Sequence, residues 1–264
     1  MRHVATAACL LLLLAARVHA QSPTPATAST TVEFFPRAEF RLGANSLNVA
    51  GADDQRFSWD AYFGGVLDVA DYVIGRAWIV TDYHPVLGSE YRPFDPNQAY
   101  YVLETGASYR IGDTEVAGVF HHISRHLSDR PKPFAIAWNV LEARVLRRVE
   151  AGGVTIDGRV GAGTLVQHSF VDYSWTADAD LMIRRPIASR VGAFLHGSGE
   201  LFGIDATEST RDTQKGGRVE AGVRLDGRGV SVELFAGVER RLDADPIDRV
   251  PMRWALAGFR LLSR

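Results

Sequence analysis

Two rhythms are superimposed in this chain, and together they leave few folds open. Within segments of roughly ten residues, apolar and polar side chains alternate; between segments, tight turns and long polar loops take turns. The alternation is clearest late in the sequence. Val219, Ala221, Val223 and Leu225 fall on one face of an extended segment, and Arg218, Glu220 and Arg224 on the other. The next segment repeats the pattern, with Val230, Val232, Leu234, Ala236 and Val238 set against Ser231, Glu233, Glu239 and Arg241. Asp226-Gly227-Arg228-Gly229 joins the two, which is the chemistry of a hairpin turn. The same reading along the chain predicts twelve strands, at about 32–42, 57–69, 74–82, 100–111, 116–125, 134–149, 154–166, 175–184, 191–202, 218–225, 230–242 and 252–262.

A soluble sandwich also alternates, so the connections decide. Even-numbered strands end in short links such as 111–114 and 150–153, whereas odd-numbered strands end in longer ones, including 45–56, 83–99, 204–217 and 243–251. Sorting of loops by parity, with an even strand count, is the signature of a transmembrane barrel with short periplasmic turns and long external loops. The expectation is an all-β fold, a transmembrane antiparallel β-barrel of about 12 strands over residues 32–264, with both termini in the periplasm and the bacterial outer membrane as its location.

The N-terminus agrees with export. Arg2 and His3 precede the apolar run from Cys9 to Ala16, and Val18-His19-Ala20 offers a small-x-small cleavage site, so residues 1–20 read as a signal peptide. Residues 21–31, rich in Ser, Thr, Pro and Ala, read as a flexible periplasmic lead-in. Cys9 is the sole cysteine and lies within the signal, so the mature chain is expected to be thiol-free. A net charge of -2 with mixed signs argues against nucleic-acid binding. Mean hydropathy is -0.05, which suits a barrel because lipid-facing and lumen-facing residues cancel. The expected partners are membrane lipid and the machinery that assembles outer-membrane barrels; oligomeric state is left open.

Chemically capable side chains concentrate in the fifth strand, Phe120-His121-His122-Ile123-Ser124-Arg125-His126-Leu127-Ser128-Asp129. His122 and Ser124 are two apart and share a strand face. A hairpin centred near Arg130 and Pro131 puts Asn139 of the sixth strand opposite His122. Asn139 belongs to the apolar set of that strand, with Ala135, Ala137, Leu141, Ala143 and Val145, so all three polar residues are expected on the lipid face near the outer leaflet. Polar groups there are costly unless they pair and serve a purpose. A histidine beside a hydroxyl, oriented by a third polar group, is the arrangement that activates a serine.

The His122-Ile123-Ser124 sequence resembles the His-x-Ser of the outer-membrane phospholipase A and lipid A deacylase families, whose catalytic residues sit on the barrel exterior. The resemblance implies His122 as base, Ser124 as nucleophile and Asn139 as the group that orients the histidine; calcium is left open as a cofactor. Those families follow the serine with Asn, where this chain has Arg125. A longer match, His122-x-Ser124-x-His126-Leu127-x-Asp129, is similar to a bacterial outer-membrane barrel family of unknown function and implies no activity.

Other readings stand beside this one. A second His-x-Ser, His196-Gly197-Ser198, shares a face with Glu200 and points to the lumen as barrel filling. His121, His122 and His126 with Asp129 offer an alternative metal set, although without zinc-type spacing. Asp53, Asp54, Asp243, Asp245 and Asp248 lie in long loops but complete no calcium loop. Tyr100, Tyr101, Tyr109, Trp59, Trp175 and Trp254 are expected in interfacial girdles. The inward charges are balanced in sign and either cross-link into a plug or line a narrow channel. Two functions therefore remain: a lipid acyl hydrolase with a lipid-facing site, or a non-catalytic barrel acting as a narrow channel or structural protein.

Overall fold

The computed structural model describes residues 30–48, 55–89, 92–128 and 134–263. The expected signal peptide and almost all of the lead-in lie outside the described residues, as do Asp53, Asp54 and Asp129. The described chain forms twelve strands: β1 (Glu33–Asn48), β2 (Trp59–Asp71), β3 (Arg76–Gly88), β4 (Asp95–Ile111), β5 (Thr114–Leu127), β6 (Ile136–Ala151), β7 (Val154–Ser169), β8 (Tyr173–Ala188), β9 (Val191–Ile204), β10 (Gln214–Asp226), β11 (Val230–Asp245) and β12 (Val250–Ser263). Each pairs antiparallel with its sequence neighbours, and β1 pairs with β12 from Arg41↔Leu262 to Asn48↔Ala255. The barrel is closed, which leaves no unpaired sheet edge.

The alternation becomes two surfaces. Outside, Phe40, Leu103, Leu141, Val160, Leu234 and Val238 are exposed, as a lipid-facing belt requires. Inside, carboxylates and arginines are buried in pairs. Arg144 donates to Glu104 at 2.9 Å and to Glu142 at 2.7 Å, and Arg76 donates to Glu115 at 3.0 Å and Asp68 at 3.2 Å. Arg260 bonds Glu220 and Glu233, and Arg241 bonds Asp60 and Glu239. His196 lies at 2.9 Å from Asp180 and Ser198 is buried, so the second His-x-Ser is lumen filling.

The outer half of the lumen is filled. Ile123, Leu127, Trp138, Tyr173, Phe202 and Leu242 form one buried cluster, and Leu47, Phe57, Val86 and Trp254 belong to another. Between them the top of β11 turns inward: its register with β12 shifts between Arg241 and Asp245, and Asp243 takes a positive φ of 42°. The displaced residues reach β4 and β5 on the opposite wall, where Gln98 and Arg125 both donate to the Ala244 carbonyl, at 2.8 and 3.1 Å. Tyr173 donates to Asp243 at 2.5 Å. At the periplasmic end a cavity of about 250 Å³ remains, lined by Glu39, Arg41, Arg148, Arg184 and Arg224.

The strands run further outward than alternation predicts. β3 reaches Gly88 through Pro85, β4 starts at Asp95 and β10 at Gln214, and the β7–β8 link shrinks to residues 170–172. The girdle also needs correction. Trp59, Tyr101, Tyr109 and Trp175 are exposed on the exterior, but Trp254 is buried against Phe57 in the lumen, and Tyr100 turns inward to Arg125. A strand-end aromatic faces lipid or lumen according to its parity, which proximity to the end does not reveal.

Candidate functional site

β5 and β6 pair so that His122 lies directly opposite Asn139 and Ser124 opposite Ala137, and on the other side Tyr101 of β4 lies opposite Ser124. Tyr101 and Leu103, which flank Ser124 and His122, are exposed to the exterior. His122, Ser124 and Asn139 therefore share the lipid face. Depth follows from β4, where Tyr109 pairs with Val116 near the periplasmic end and Tyr101 with Ser124 near the outer end. Exterior tyrosines mark the two interfaces of a barrel, so Ser124 sits at the outer boundary of the apolar belt.

The polar groups form a chain. His122 Nδ1 is 2.6 Å from Asn139 Oδ1, and Asn139 Nδ2 donates to Gln167 Oε1 at 2.9 Å. In this arrangement the amide nitrogen of Asn139 faces Gln167 and its oxygen faces His122. Asn139 then accepts from Nδ1–H, which leaves Nε2 of the neutral imidazole as the basic nitrogen. Ser124 Oγ lies 3.4 Å from His126 Nε2, and His126 stands edge-on to Tyr101 with ring centroids 4.9 Å apart. Among the described residues the hydrogen bond of the Ser124 hydroxyl runs to His126 and not to His122. The structure thus joins His122 to Asn139 and places Ser124 on the same face, with its hydroxyl turned outward along the strand.

Gln167 was not visible to a period-two reading. The β6–β7 register shifts between Asn139 and Val140, and this bulge brings Gln167 opposite Asn139. His121 points the other way, into the lumen, 3.4 Å from Glu142. Strand alternation thus separates it from His122 and His126, and no metal-binding group of three His, Cys, Asp or Glu residues assembles among the described residues. The loop acids are engaged elsewhere: Asp243 with Arg211, and Asp245 and Asp248 with Arg56 at 2.8 and 3.3 Å. Among the described residues, the exterior faces of β4 to β7 around Ser124 carry no carboxylate. This does not fit the oxygen-rich cage calcium takes.

No protein-family model matches the chain, and no curated protein matches it in sequence. Its architecture is similar to an outer membrane channel from Pseudomonas putida F1, with 11% identity and a TM-score of 0.57 over 94% of this chain and 99% of that one. It is also similar to the outer membrane phospholipase dimer with bound calcium from Salmonella typhi, with 12% identity and a TM-score of 0.52 over 89% and 93% of the two chains. LpxR from Salmonella typhimurium aligns at 7% identity and a TM-score of 0.50, over 85% of this chain and 99% of that one. At such identities the likeness is one of fold alone. With a closed twelve-stranded barrel, an apolar exterior and an ion-paired interior, this chain has the fold of the bacterial outer-membrane β-barrels.

Proposed function

We propose that the protein is a lipid acyl hydrolase of the outer leaflet, with Ser124 as nucleophile, His122 as general base and Asn139 as the residue that positions the base. The observation that carries this reading is the 2.6 Å contact between His122 and Asn139 on the lipid face, with a serine two residues further out. A neutral imidazole pinned through Nδ1 offers Nε2 to a hydroxyl, and a staggered change of χ1 swings Ser124 Oγ from His126 toward His122. Oγ attacks the ester carbonyl while its proton passes to Nε2. The same proton then goes to the departing alkoxide, which leaves an acyl-enzyme, and water activated by the freed imidazole releases the fatty acid.

The filled lumen supports this reading over conduction. Leu242 to Ala244 lie across the outer mouth, with the Ala244 carbonyl accepting from side chains of both β4 and β5, and buried arginines and carboxylates of the interior pair with one another.

Labelling with a lipid-like fluorophosphonate tests the nucleophile. The purified barrel in mixed micelles is expected to gain one adduct on the peptide containing Ser124, lost in Ser124→Ala and in His122→Ala. Absence of an adduct, or an adduct on another serine, contradicts the assignment. Parallel reactions with and without calcium decide whether the ion takes part.

A further inference from the structure

The same three strands, β10, β11 and β12, treat their inward and outward cations differently. Inward, Arg218 donates to Glu220 at 2.8 Å, Arg241 to Glu239 at 2.6 Å and Arg260 to Glu233 at 2.8 Å. Outward, Arg240 and Arg253 face each other directly across the β11–β12 pair. Neither has an ion pair or hydrogen bond among the described residues, and Nη1 of Arg240 is buried without a partner. Arg240 also lies opposite Gly217 of β10, and Lys215, two residues further out on that strand, adds a third exterior cation. The exterior faces of these strands carry no acid. Asp243, on β11 itself, is turned into the lumen and held by Arg211 and Tyr173.

Position gives this cluster its meaning. The exterior pairs beneath it are Val238↔Ala255, Ala236↔Ala257, Leu234↔Phe259 and Val232↔Leu261, an unbroken apolar band. From Val230 to Val238 the strand climbs about 20 Å along the membrane normal at the usual rise and tilt. The two guanidinium groups occupy the next row outward, where outer-leaflet headgroups begin. Like charges directly opposite across a ladder are destabilising, and a guanidinium pair is well shaped for bidentate contact with a phosphate.

We propose that Arg240 and Arg253, with Lys215 beside them, hold a phosphate of an anionic outer-leaflet lipid. The site is on the wall opposite β5 and β6, six strands round the barrel, so it is independent of the hydrolase reading. The bound phosphate bridges two cations that otherwise repel.

The full-length barrel in zwitterionic detergent provides the test, with bisphosphorylated lipid A and its dephosphorylated form as probes. Native mass spectrometry is expected to show the phosphorylated lipid retained, and the unfolding temperature raised by it alone. Arg240→Gln with Arg253→Gln is expected to weaken retention at least tenfold. Without lipid, Arg253→Gln is expected to unfold at a slightly higher temperature than wild type, since repulsion is relieved; with phosphorylated lipid the order reverses. Should the double variant fail to assemble, Arg253→Gln alone carries the comparison. Equal retention by wild type and variant, or of both lipids, overturns the proposal. Equal protection by inorganic phosphate at matched concentration also overturns it, in favour of a free-anion site.

Discussion

At the residue scale, what matters is which groups hold which. Asn139 was legible because it interrupts the apolar set of its own strand, and a polar residue facing lipid needs a partner. Gln167 was not, because the bulge after Asn139 moves it into register and alternation alone carries no sign of a bulge. The engagement of Ser124 with His126 was not legible either, since two histidines flank it on one face and only rotamers choose between them. Substitutions separate the roles. Asn139→Ala is expected to lower turnover roughly a hundredfold less than Ser124→Ala does, because an orienting group contributes less than the nucleophile. Gln167→Ala is expected to lower kcat by a smaller factor with KM unchanged, as it acts only through Asn139. His196→Ala with Ser198→Ala, both in the lumen, is expected to leave ester hydrolysis unaffected. In the lumen, Arg144 is shared by Glu104 and Glu142. Arg144→Ala strands two buried carboxylates and is expected to cost about 3–5 kcal/mol in urea unfolding from lipid.

At the element scale, strand number and order followed from alternation and turn chemistry, while strand length did not. Val86 of β3 shares a buried cluster with Ala244, and Gln98 of β4 donates to the Ala244 carbonyl, so the inward faces of these extensions meet a folded-in segment instead of a simple polar core. Turns are better specified. Between β6 and β7, Gly152 and Gly153 have φ of 58° and 76°, and a Cβ on either meets nothing within 4 Å. The penalty of a side chain there is therefore torsional, about 1–2 kcal/mol per residue. Gly153→Val is expected to destabilise by about that amount in equilibrium unfolding and to leave hydrolysis unchanged in the folded fraction.

At the scale of the whole molecule, the barrel separates a greasy outside from an ion-paired inside, and a soluble reading predicts the opposite response to charge on the outside. Leu234, 47% exposed and midway along the apolar rows of β11, is a suitable probe. Leu234→Arg is expected to cost about 2–4 kcal/mol of stability in bilayers; a neutral effect contradicts a lipid-facing position. In planar bilayers the protein is expected to show no steady conductance, and a large open current contradicts the lumen packing described above. The central claim is that Ser124 cleaves acyl esters at the outer leaflet, and mass spectrometry of lipids after incubation with purified barrel in mixed micelles tests it most directly. Wild type is expected to release fatty acid from phospholipid or lipid A, with Ser124→Ala and His122→Ala folded and inactive; no deacylated product under any condition, or equal release by Ser124→Ala, contradicts it.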